Sequence, residues 1–478
     1  MTERLSPVDR AWLLMDRPTN PMVVMGLLVL RRRLRRASLR RIVAERFLAF
    51  ERFRRVPAAD TLGAHWELAE QFDLDDHVLR VALPAPAGER ELEALAGELA
   101  STPLNTGRPL WTFHLVEQYQ GGSALIIRVH HCYADGIALM RVLLRLADAV
   151  PGSVAAVAAP SRHAAPARHA APAAAAGDTS ATLMPEFLTQ ALREGADLVG
   201  KGLHYALHPA EATTAAGTAA GAAAGIAGEV ARMGLLLADD PPTLLKQELS
   251  GVKRVAWAAP LALEEVRTVA HLLGCSINDV LVATLAGAIG RYLDSQGDST
   301  AGVTIRAAVP VNLRPQDDAA LALGNRFGLV FVDLPVGIRH PLQRLYAVHA
   351  GMDALKGSQQ ALVTFGLLSL VGTLPAAVEE PAVAMFSAKA SLVASTLRGP
   401  EQPLHLAGAP VSQLLFWVPQ SGSIGVGVSI LSYHGEVQFG VIADRHLIPD
   451  PGQLVGLVQA EFDRLLYLLL LGAGSLTD

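Results

Sequence analysis

The chain has 478 residues, of which 51% are hydrophobic and 18% are charged, and its formal net charge is −5. This length supplies enough apolar surface for two or three domains with large cores, and the weak negative charge argues against a nucleic-acid-binding protein. The two cysteines, Cys132 and Cys275, form no paired motif, so we expect no disulfide framework and a reducing compartment.

Residues 1–150 are predicted to form a first α/β domain. Apolar runs bounded by turn residues predict strands, and apolar residues at helical spacing predict helices. The predicted strands lie at 22–30, 111–116 and 124–129, and the predicted helices at 37–53, 89–100 and 137–148.

Residues 151–250 are predicted to connect this domain to a second one. The segment 151–180 is rich in alanine and proline, which is typical of a flexible linker. Two helical patterns follow at 185–206 and 210–237. The run Asp-Asp-Pro-Pro at 239–242 interrupts helix and strand alike and predicts a boundary.

Residues 251–478 are predicted to form a second α/β domain of similar size. A turn at Gly435 favours a hairpin between its last two strands. The predicted strands lie at 253–257, 302–311, 328–333, 414–419, 426–432 and 437–443, and the predicted helices at 261–273 and 277–292. The fold class is therefore α/β, with a mixed sheet flanked by helices in each half.

Several segments bear on membrane contact. A cluster of arginines at 31–41 predicts either a solvated face or contact with anionic lipid or with phosphate groups. The uncharged stretch 361–378 has the minimum length of a membrane span but is broken by glycine and proline, so it predicts interfacial insertion or a core helix. The apolar run 465–471 is too short to cross. No targeting signal is predicted at the N-terminus.

The most informative segment begins where the third predicted strand ends. His130 and His131 follow it directly, and Asp135-Gly136 precedes a predicted helix. A histidine at the end of a buried strand, beside a tight turn, is well placed to act as a general base. A packed histidine is the commoner interpretation of a single such residue. A shared metal ion is disfavoured, because neighbours on a strand point to opposite faces.

The pattern His-His-x-x-x-Asp-Gly at 130–136 resembles the active-site motif of acyl-CoA-dependent, chloramphenicol-acetyltransferase-like acyltransferases. It is most similar to that of the bacterial wax ester synthase/diacylglycerol acyltransferase (WS/DGAT) family. Further blocks that resemble this family lie at 5–9, 109–111, 278–279, 310–314, 324–328, 429–433 and 443–445. Two blocks depart from its pattern: Leu104-Asn105-Thr106 replaces Leu-Asp-Arg, and the block at 395–400 has Thr396 where the family has asparagine.

The resemblance implies two chloramphenicol-acetyltransferase-like domains with the active-site channel between them. It implies transfer of a long-chain acyl group from acyl-CoA to a fatty alcohol or diacylglycerol, giving a wax ester or triacylglycerol. Acyl-CoA is then a substrate, and neither a cofactor nor a metal is implied. The expected location is cytoplasmic and peripheral, at the inner membrane or at lipid inclusions, and a homodimer is left open.

The resemblance also implies roles for the histidine motif. His131 is the general base and His130 supports and orients it. Asp135 points away from the reaction and pairs with an arginine, for which Arg314 is the candidate, and together with Gly136 this pair holds the turn.

The other family blocks have two interpretations each. Asn278 either caps a helix or helps to polarise the substrate carbonyl, and Asp279 is expected to be structural. Pro109, Leu110 and Trp111 are expected either to pack in the core or to contribute to substrate binding.

Two alternatives stay open. One is another acyltransferase of the same fold, of the condensation or polyketide-associated type, which shares the histidine motif but lacks the Pro-Leu-Trp and Asn-Asp blocks. The other is a non-catalytic protein that binds acyl-CoA or lipid. A serine esterase is unsupported because the sequence has no Gly-x-Ser-x-Gly elbow.

Overall fold

The computed structural model describes residues 3–60, 63–148, 238–314, 323–356, 360–373 and 376–474. Most of the predicted connecting segment, including both of its predicted helices, lies outside these residues. The strands in chain order are β1 Glu3–Arg4, β2 Val23–Leu30, β3 Arg55–Asp60, β4 Gly63–Leu68, β5 Val78–Val81, β6 Trp111–Tyr119, β7 Gly122–His130, β8 Lys253–Trp257, β9 Leu261–Ala262, β10 Ile305–Asn312, β11 Phe327–Leu334, β12 Leu392–Arg398, β13 His405–Leu406, β14 Ala409–Trp417, β15 Val426–Tyr433 and β16 Glu436–Asp444. The α-helices are α1 Pro7–Leu14, α2 Arg36–Ile42, α3 Glu89–Ser101, α4 Gly136–Leu146, α5 Leu263–Leu272, α6 Ile277–Ser295, α7 Pro341–Lys356, α8 Gln360–Val371, α9 Ala376–Ser387 and α10 Pro451–Gly474.

The first large sheet has the strand order β13-β14-β2-β7-β6-β5. All its pairs are antiparallel except β5 with β6. Strand β7 lies inside the sheet and is buried on both faces: Leu125 and Val129 pack on one side, and Ala124 and Ile126 on the other. This explains its almost continuous apolar sequence.

The second large sheet has the order β11-β10-β12-β15-β16-β8, with β9 beside β16. Here β12 is parallel to both β10 and β15, and the other pairs are antiparallel. The turn between β15 and β16 places His434 and Gly435 at positive φ, 49° and 80°, and confirms the predicted hairpin. A small third sheet has the order β1-β4-β3.

The two halves of the chain share the first sheet. Strands β13 and β14 come from the range 251–478, yet β14 pairs with β2 along most of its length, from Val411 with Leu30 to Trp417 with Met25. The α/β class with two mixed sheets and flanking helices is confirmed, and the first sheet takes strands from both sides of the connecting segment.

Local sequence explains how the key helices begin. Ser6 caps α1 by accepting a hydrogen bond from the Asp9 amide at 3.0 Å, and Pro7 occupies the first helical position. Ser276 and Asp279 form a reciprocal capping box at the start of α6. The predicted helix at 37–53 is instead divided into α2, a π-helical turn and a 3₁₀ turn.

The described residues of the stretch 361–378 belong mainly to α8 and to the start of α9. Helix α8 packs on the chain rather than standing apart from it: Thr364 binds the backbone of Leu329 in β11, and Arg10 of α1 donates to the carbonyl of Gly372. The core-helix interpretation of this stretch is therefore favoured. Within the described residues no single helix has the length and apolar composition of a membrane span. Helices α5 and α6 have this length and composition only when they are taken together, and the chain bends by 101° between them.

Candidate active site

His131 is the first residue after β7 and lies at the end of the first sheet. Its backbone amide donates to the carbonyl of Met22 at 2.8 Å. Its ring stacks on Trp12 of α1, with ring centroids 4.2 Å apart, and Phe327 of β11 lies 5.6 Å away. The imidazole is thus held by aromatic rings from both halves of the chain.

A cavity of about 230 Å³ opens in front of this ring. It lies between the end of β7 and strands β10, β11 and β12 of the second sheet, and α8 and α9 form another wall. Most of its lining is apolar. Polar side chains enter it mainly from β10, β12 and α9, among them Asn312, Ser395, Thr396 and Ser387. The predicted channel between the two halves therefore exists, and His131 lines it.

Burial controls the charge of His131, which is only 5% exposed. Loss of solvation lowers the pKa of its imidazole to about 4, although the nearby charge of Asp135 acts in the opposite direction. The Nδ1 atom is buried without a hydrogen-bond partner among the described residues. The ring is therefore neutral at physiological pH, and its orientation comes from stacking rather than from a carboxylate.

Asp135 and Arg314 form a buried ion pair. Asp135 caps α4, accepting from the amide of Ala138 at 3.0 Å, and its Oδ2 also accepts from the amide of Arg326 at 3.0 Å. Arg314 donates in addition to the carbonyl of Gly324 at 2.7 Å. This geometry matches the pairing expected from the sequence and commits the carboxylate of Asp135 to groups other than His131.

Asn325 and Asp9, which the sequence analysis did not assign to the site, hold the backbone of His131 through hydrogen bonds. The side-chain amide of Asn325 donates to the His131 carbonyl at 2.7 Å and to Oδ1 of Asp9 at 2.8 Å. Asp9 is buried, which raises the pKa of its carboxyl, while the hydrogen bond from Asn325 acts to lower it. Both residues belong to blocks that carry the family resemblance, at 5–9 and 324–328, and this membership was the available signal.

Gly324 precedes this asparagine and has φ +115°. A β-carbon there would lie 3.3 Å from Nη1 of Arg52 and 3.6 Å from Oδ2 of Asp9. Glycine therefore suits the position for two reasons, its backbone conformation and the close approach of these side chains.

His130 points away from the cavity and is not part of its lining. Its Nδ1 accepts from the amide of Cys132 at 3.2 Å, and its Nε2 lies 3.5 Å from Oδ2 of Asp16. Asp16 in turn accepts from the amide of Met22 at 2.8 Å, the residue whose carbonyl binds His131. This arrangement is suited to the supporting role expected for His130.

Pro109, Leu110 and Trp111 lie beneath the site and do not line the cavity. The indole of Trp111 donates to the carbonyl of Phe53 at 2.7 Å and stacks on the buried ring of His77. The carbonyl of Leu110 accepts from the amide of His130 at 2.9 Å. Their contacts fit the core-packing interpretation.

Asn278 and Asp279 lie at the start of α6 and do not line the cavity either. Asp279 accepts from the amide of Ser276 and from Nδ1 of His349, both at 2.8 Å. Potential ligand atoms of Cys275, Asp279 and His349 lie within 4.8 Å of one another, in a cluster distinct from the cavity. The structure therefore brings together His131, Asp135, Gly136 and Arg314, and leaves Asn278 apart from them.

Two mixed sheets with a buried histidine in the cavity between them define a chloramphenicol-acetyltransferase-like fold. The fold is similar to that of a wax ester synthase/diacylglycerol acyltransferase from Marinobacter aquaeolei, with a TM-score of 0.65 and 20% identity, covering 97% of this chain and 98% of that one. It is also similar to the first condensation domain of the calcium-dependent antibiotic synthetase, with a TM-score of 0.57 and 16% identity, covering 98% and 96%.

Sequence comparison gives the family. The family model of the wax ester synthase/diacylglycerol acyltransferase catalytic domain matches residues 5–281, and that of the WS/DGAT C-terminal domain matches 323–466. A probable diacylglycerol O-acyltransferase of Mycobacterium tuberculosis is 28% identical over 399 residues, 82% of this chain and 79% of that protein. A putative one of Mycobacterium bovis is 28% identical over 475 residues, 93% and 87%. The chain belongs to the WS/DGAT family.

Proposed function

We propose that the protein is an O-acyltransferase that moves a long-chain acyl group from acyl-CoA to a fatty alcohol or to diacylglycerol. The products are a wax ester or a triacylglycerol, and free coenzyme A. The observation that carries this proposal is one buried, neutral histidine, His131, in the wall of a mainly apolar cavity between the two sheets. Membership of the WS/DGAT family supports it.

His131 acts as the general base in this reaction. An alcohol is a weak nucleophile at neutral pH, and a neutral imidazole takes its proton as the oxygen attacks the thioester carbonyl. A carbon–oxygen bond forms, the carbon–sulfur bond breaks, and the imidazolium returns the proton to the departing thiolate. General-base catalysis of this kind contributes roughly 10²–10⁴-fold, and no acyl-enzyme intermediate is needed.

Asp135, Arg314 and Gly136 act by holding the turn that presents His131. The carboxylate of Asp135 already accepts hydrogen bonds from Arg314 and from two backbone amides, so it is not used as a proton relay. Asn278 has no part in the proposed steps, because it does not line the cavity.

The proposed substrates are poorly soluble, so we place the reaction at a lipid surface. Arg31, Arg32 and Arg35 are exposed and form no ion pair among the described residues, whereas Arg33 and Arg36 pair with acidic side chains. Exposed basic residues near anionic lipid contribute about 1 kcal/mol each. The end of α10 also exposes apolar side chains to solvent: Tyr467, Leu470 and Leu471 are 65%, 61% and 74% exposed.

The experiment that tests the proposed reaction is product analysis with purified protein. Palmitoyl-CoA is incubated with a panel of alcohols or with diacylglycerol, and both the free thiol and the ester are measured. We expect equal amounts of coenzyme A and ester from at least one acceptor. Binding of acyl-CoA without ester from any acceptor would favour a lipid-binding protein instead.

A further inference from the structure

A second cavity lies behind the active-site cavity. Its volume is about 80 Å³, and every side chain that the structure places in its wall is apolar. Strands β2, β7 and β14 of the first sheet form one side and α4 forms the other. The cavity therefore occupies the space between the first sheet and the helix that begins at the histidine motif.

Gly136 and Leu397 line both cavities. A β-carbon on Gly136 would lie 3.3 Å from Cδ1 of Leu397, so the leucine side chain packs against the glycine where the two cavities adjoin. Gly136 follows Asp135, and the ion pair of Asp135 with Arg314 fixes the backbone at this point. We call the contact between Gly136 and Leu397 the partition between the cavities. The side chain of Leu397 is half-buried and can change rotamer.

The chemistry of the second cavity favours a hydrocarbon. The side chains that line it among the described residues offer water no hydrogen-bond partners, and an apolar cavity accepts apolar guests. An empty space also deprives the side chains around it of dispersion contacts, which methylene groups would restore. Two of its residues, Met25 and Met140, have flexible side chains that adapt to the shape of a guest.

We propose that the second cavity receives the terminal methylene groups of a substrate chain, and that Leu397 determines how far this chain extends beyond the active-site cavity. The inference rests on the proposed acyl transfer and deepens it. The acyl chain of the donor and the alkyl chain of the acceptor have the same chemistry at their ends, and the two are distinguished by varying each separately.

The test measures chain-length preference in three variants. Leu143→Phe fills the second cavity from a position that does not line the first, and Leu397→Ala removes the partition. Leu144→Phe is the matched control, because Leu144 lies on the exposed side of the same helix. Values of kcat/KM are measured for acyl-CoAs from octanoyl to stearoyl with one alcohol, and for alcohols from octanol to octadecanol with one acyl-CoA.

We expect Leu143→Phe to lower the ratio of long-chain to short-chain kcat/KM by about fourfold for each methylene group excluded from the cavity. Leu397→Ala should raise the same ratio, and Leu144→Phe should leave it at the native value. The series that responds, donor or acceptor, identifies the substrate whose chain is bound. Met140→Phe provides a second filling variant if Leu143→Phe does not fold.

Unchanged ratios in both series for the filling and opening variants, with ester still produced, would overturn the second cavity as a chain subsite and leave the acyltransferase proposal intact. Absence of ester from the native protein with every chain length would overturn both proposals.

Discussion

The side-chain amide of Asn325 donates a hydrogen bond to the backbone carbonyl of His131 at 2.7 Å, across 194 positions of the chain. The same amide binds Asp9. Three segments, the start of α1, the end of β7 and the loop before β11, therefore meet at one amide group. The position of the histidine depends on this junction as well as on the strand that carries it.

Replacement of His131 tests the general base. We expect His131→Ala to lower kcat by roughly 10²–10⁴-fold, since the hydroxyl proton then has no acceptor. Turnover is measured on purified protein whose thermal unfolding is cooperative. His271→Ala, a change of an exposed histidine in α5, is the control and should retain native turnover. Near-native turnover of folded His131→Ala would remove His131 from the mechanism.

The pH dependence of the rate follows from the burial of the same ring. The pKa of His131 is about 4 in the folded protein, against 6.5 for an ordinary histidine. The base stays unprotonated in weak acid, so kcat/KM should hold its plateau below the ordinary histidine pKa and decline only as the pH approaches about 4. A decline centred near the ordinary value would contradict a buried, neutral base.

The free energy of unfolding should also depend on pH because the pKa of His131 is lowered in the folded protein. Between a pH of about 4 and 6.5 the unfolded chain binds a proton at His131 that the folded protein does not bind. The free energy of unfolding therefore decreases as pH falls through this interval, with no further loss from His131 below it. Burial also lowers the pKa values of His77 and His114, which adds to the pH dependence in this range. The measured quantity is therefore the difference in unfolding free energy between the native protein and His131→Gln. This difference should depend on pH within the interval and be flat below it.

A double-mutant cycle tests the pair formed by Asp135 and Arg314. Removal of one partner leaves a buried charge, which costs about 3–5 kcal/mol, so Asp135→Ala and Arg314→Ala should each destabilise the protein and their combination should cost less than the sum. Asp135→Asn retains a helix-capping side chain and isolates the effect of charge. Denaturant unfolding gives the energies, and additive losses would show that the pair is not coupled.

Asn325→Ala tests the junction below the histidine. It removes the donor to the buried carbonyl of His131, while Oδ1 of Asp9 keeps its hydrogen bond from the backbone amide of residue 325. We expect a cost of about 1–3 kcal/mol in unfolding free energy. If Asn325 positions the base, kcat should fall about tenfold with little change in KM. Asn105→Ala, an exposed change, is the control. Loss of stability with native kcat would restrict Asn325 to a structural role.

Vesicle flotation tests the lipid surface. Replacement of Arg31, Arg32 and Arg35 by glutamine should reduce binding to anionic vesicles at low salt, because exposed charge near the membrane is lost. The matched control replaces three exposed arginines from other elements, Arg54, Arg90 and Arg254, and changes net charge equally. Equal loss of binding in both triple variants would indicate a general charge effect.

The sequence predicted most elements that have strong periodicity. The prediction of β8 at 253–257 matches the observed bounds, and the strand before the histidines and helix α6 are also confirmed. The hairpin of β3 with β4, strand β12 and helices α7 and α10 were not predicted. The sequences of these three strands mix polar, small and apolar residues, and the pairing with neighbouring strands that stabilises them is not visible in a local window.

The site was predicted only in part, because some of its contacts join segments that are far apart in the sequence. The pairing of Asp135 with Arg314 was expected from the resemblance. The stacking of Trp12 on His131, and the junction at Asn325, join segments that only the folded chain brings together. Burial of the histidine ring, which sets its pKa, is likewise a property of the packed structure.

The contribution of β13 and β14 to the first sheet has a consequence for synthesis. Strand β2 pairs with β14, so the first sheet is incomplete until residue 417 has been made. During translation of the long segment in between, β2 has an unpaired, apolar edge, which is a site for wrong pairing. We therefore expect the two halves to fold as one unit, so that a chain cut within the connecting segment requires its missing partner before either piece becomes stable.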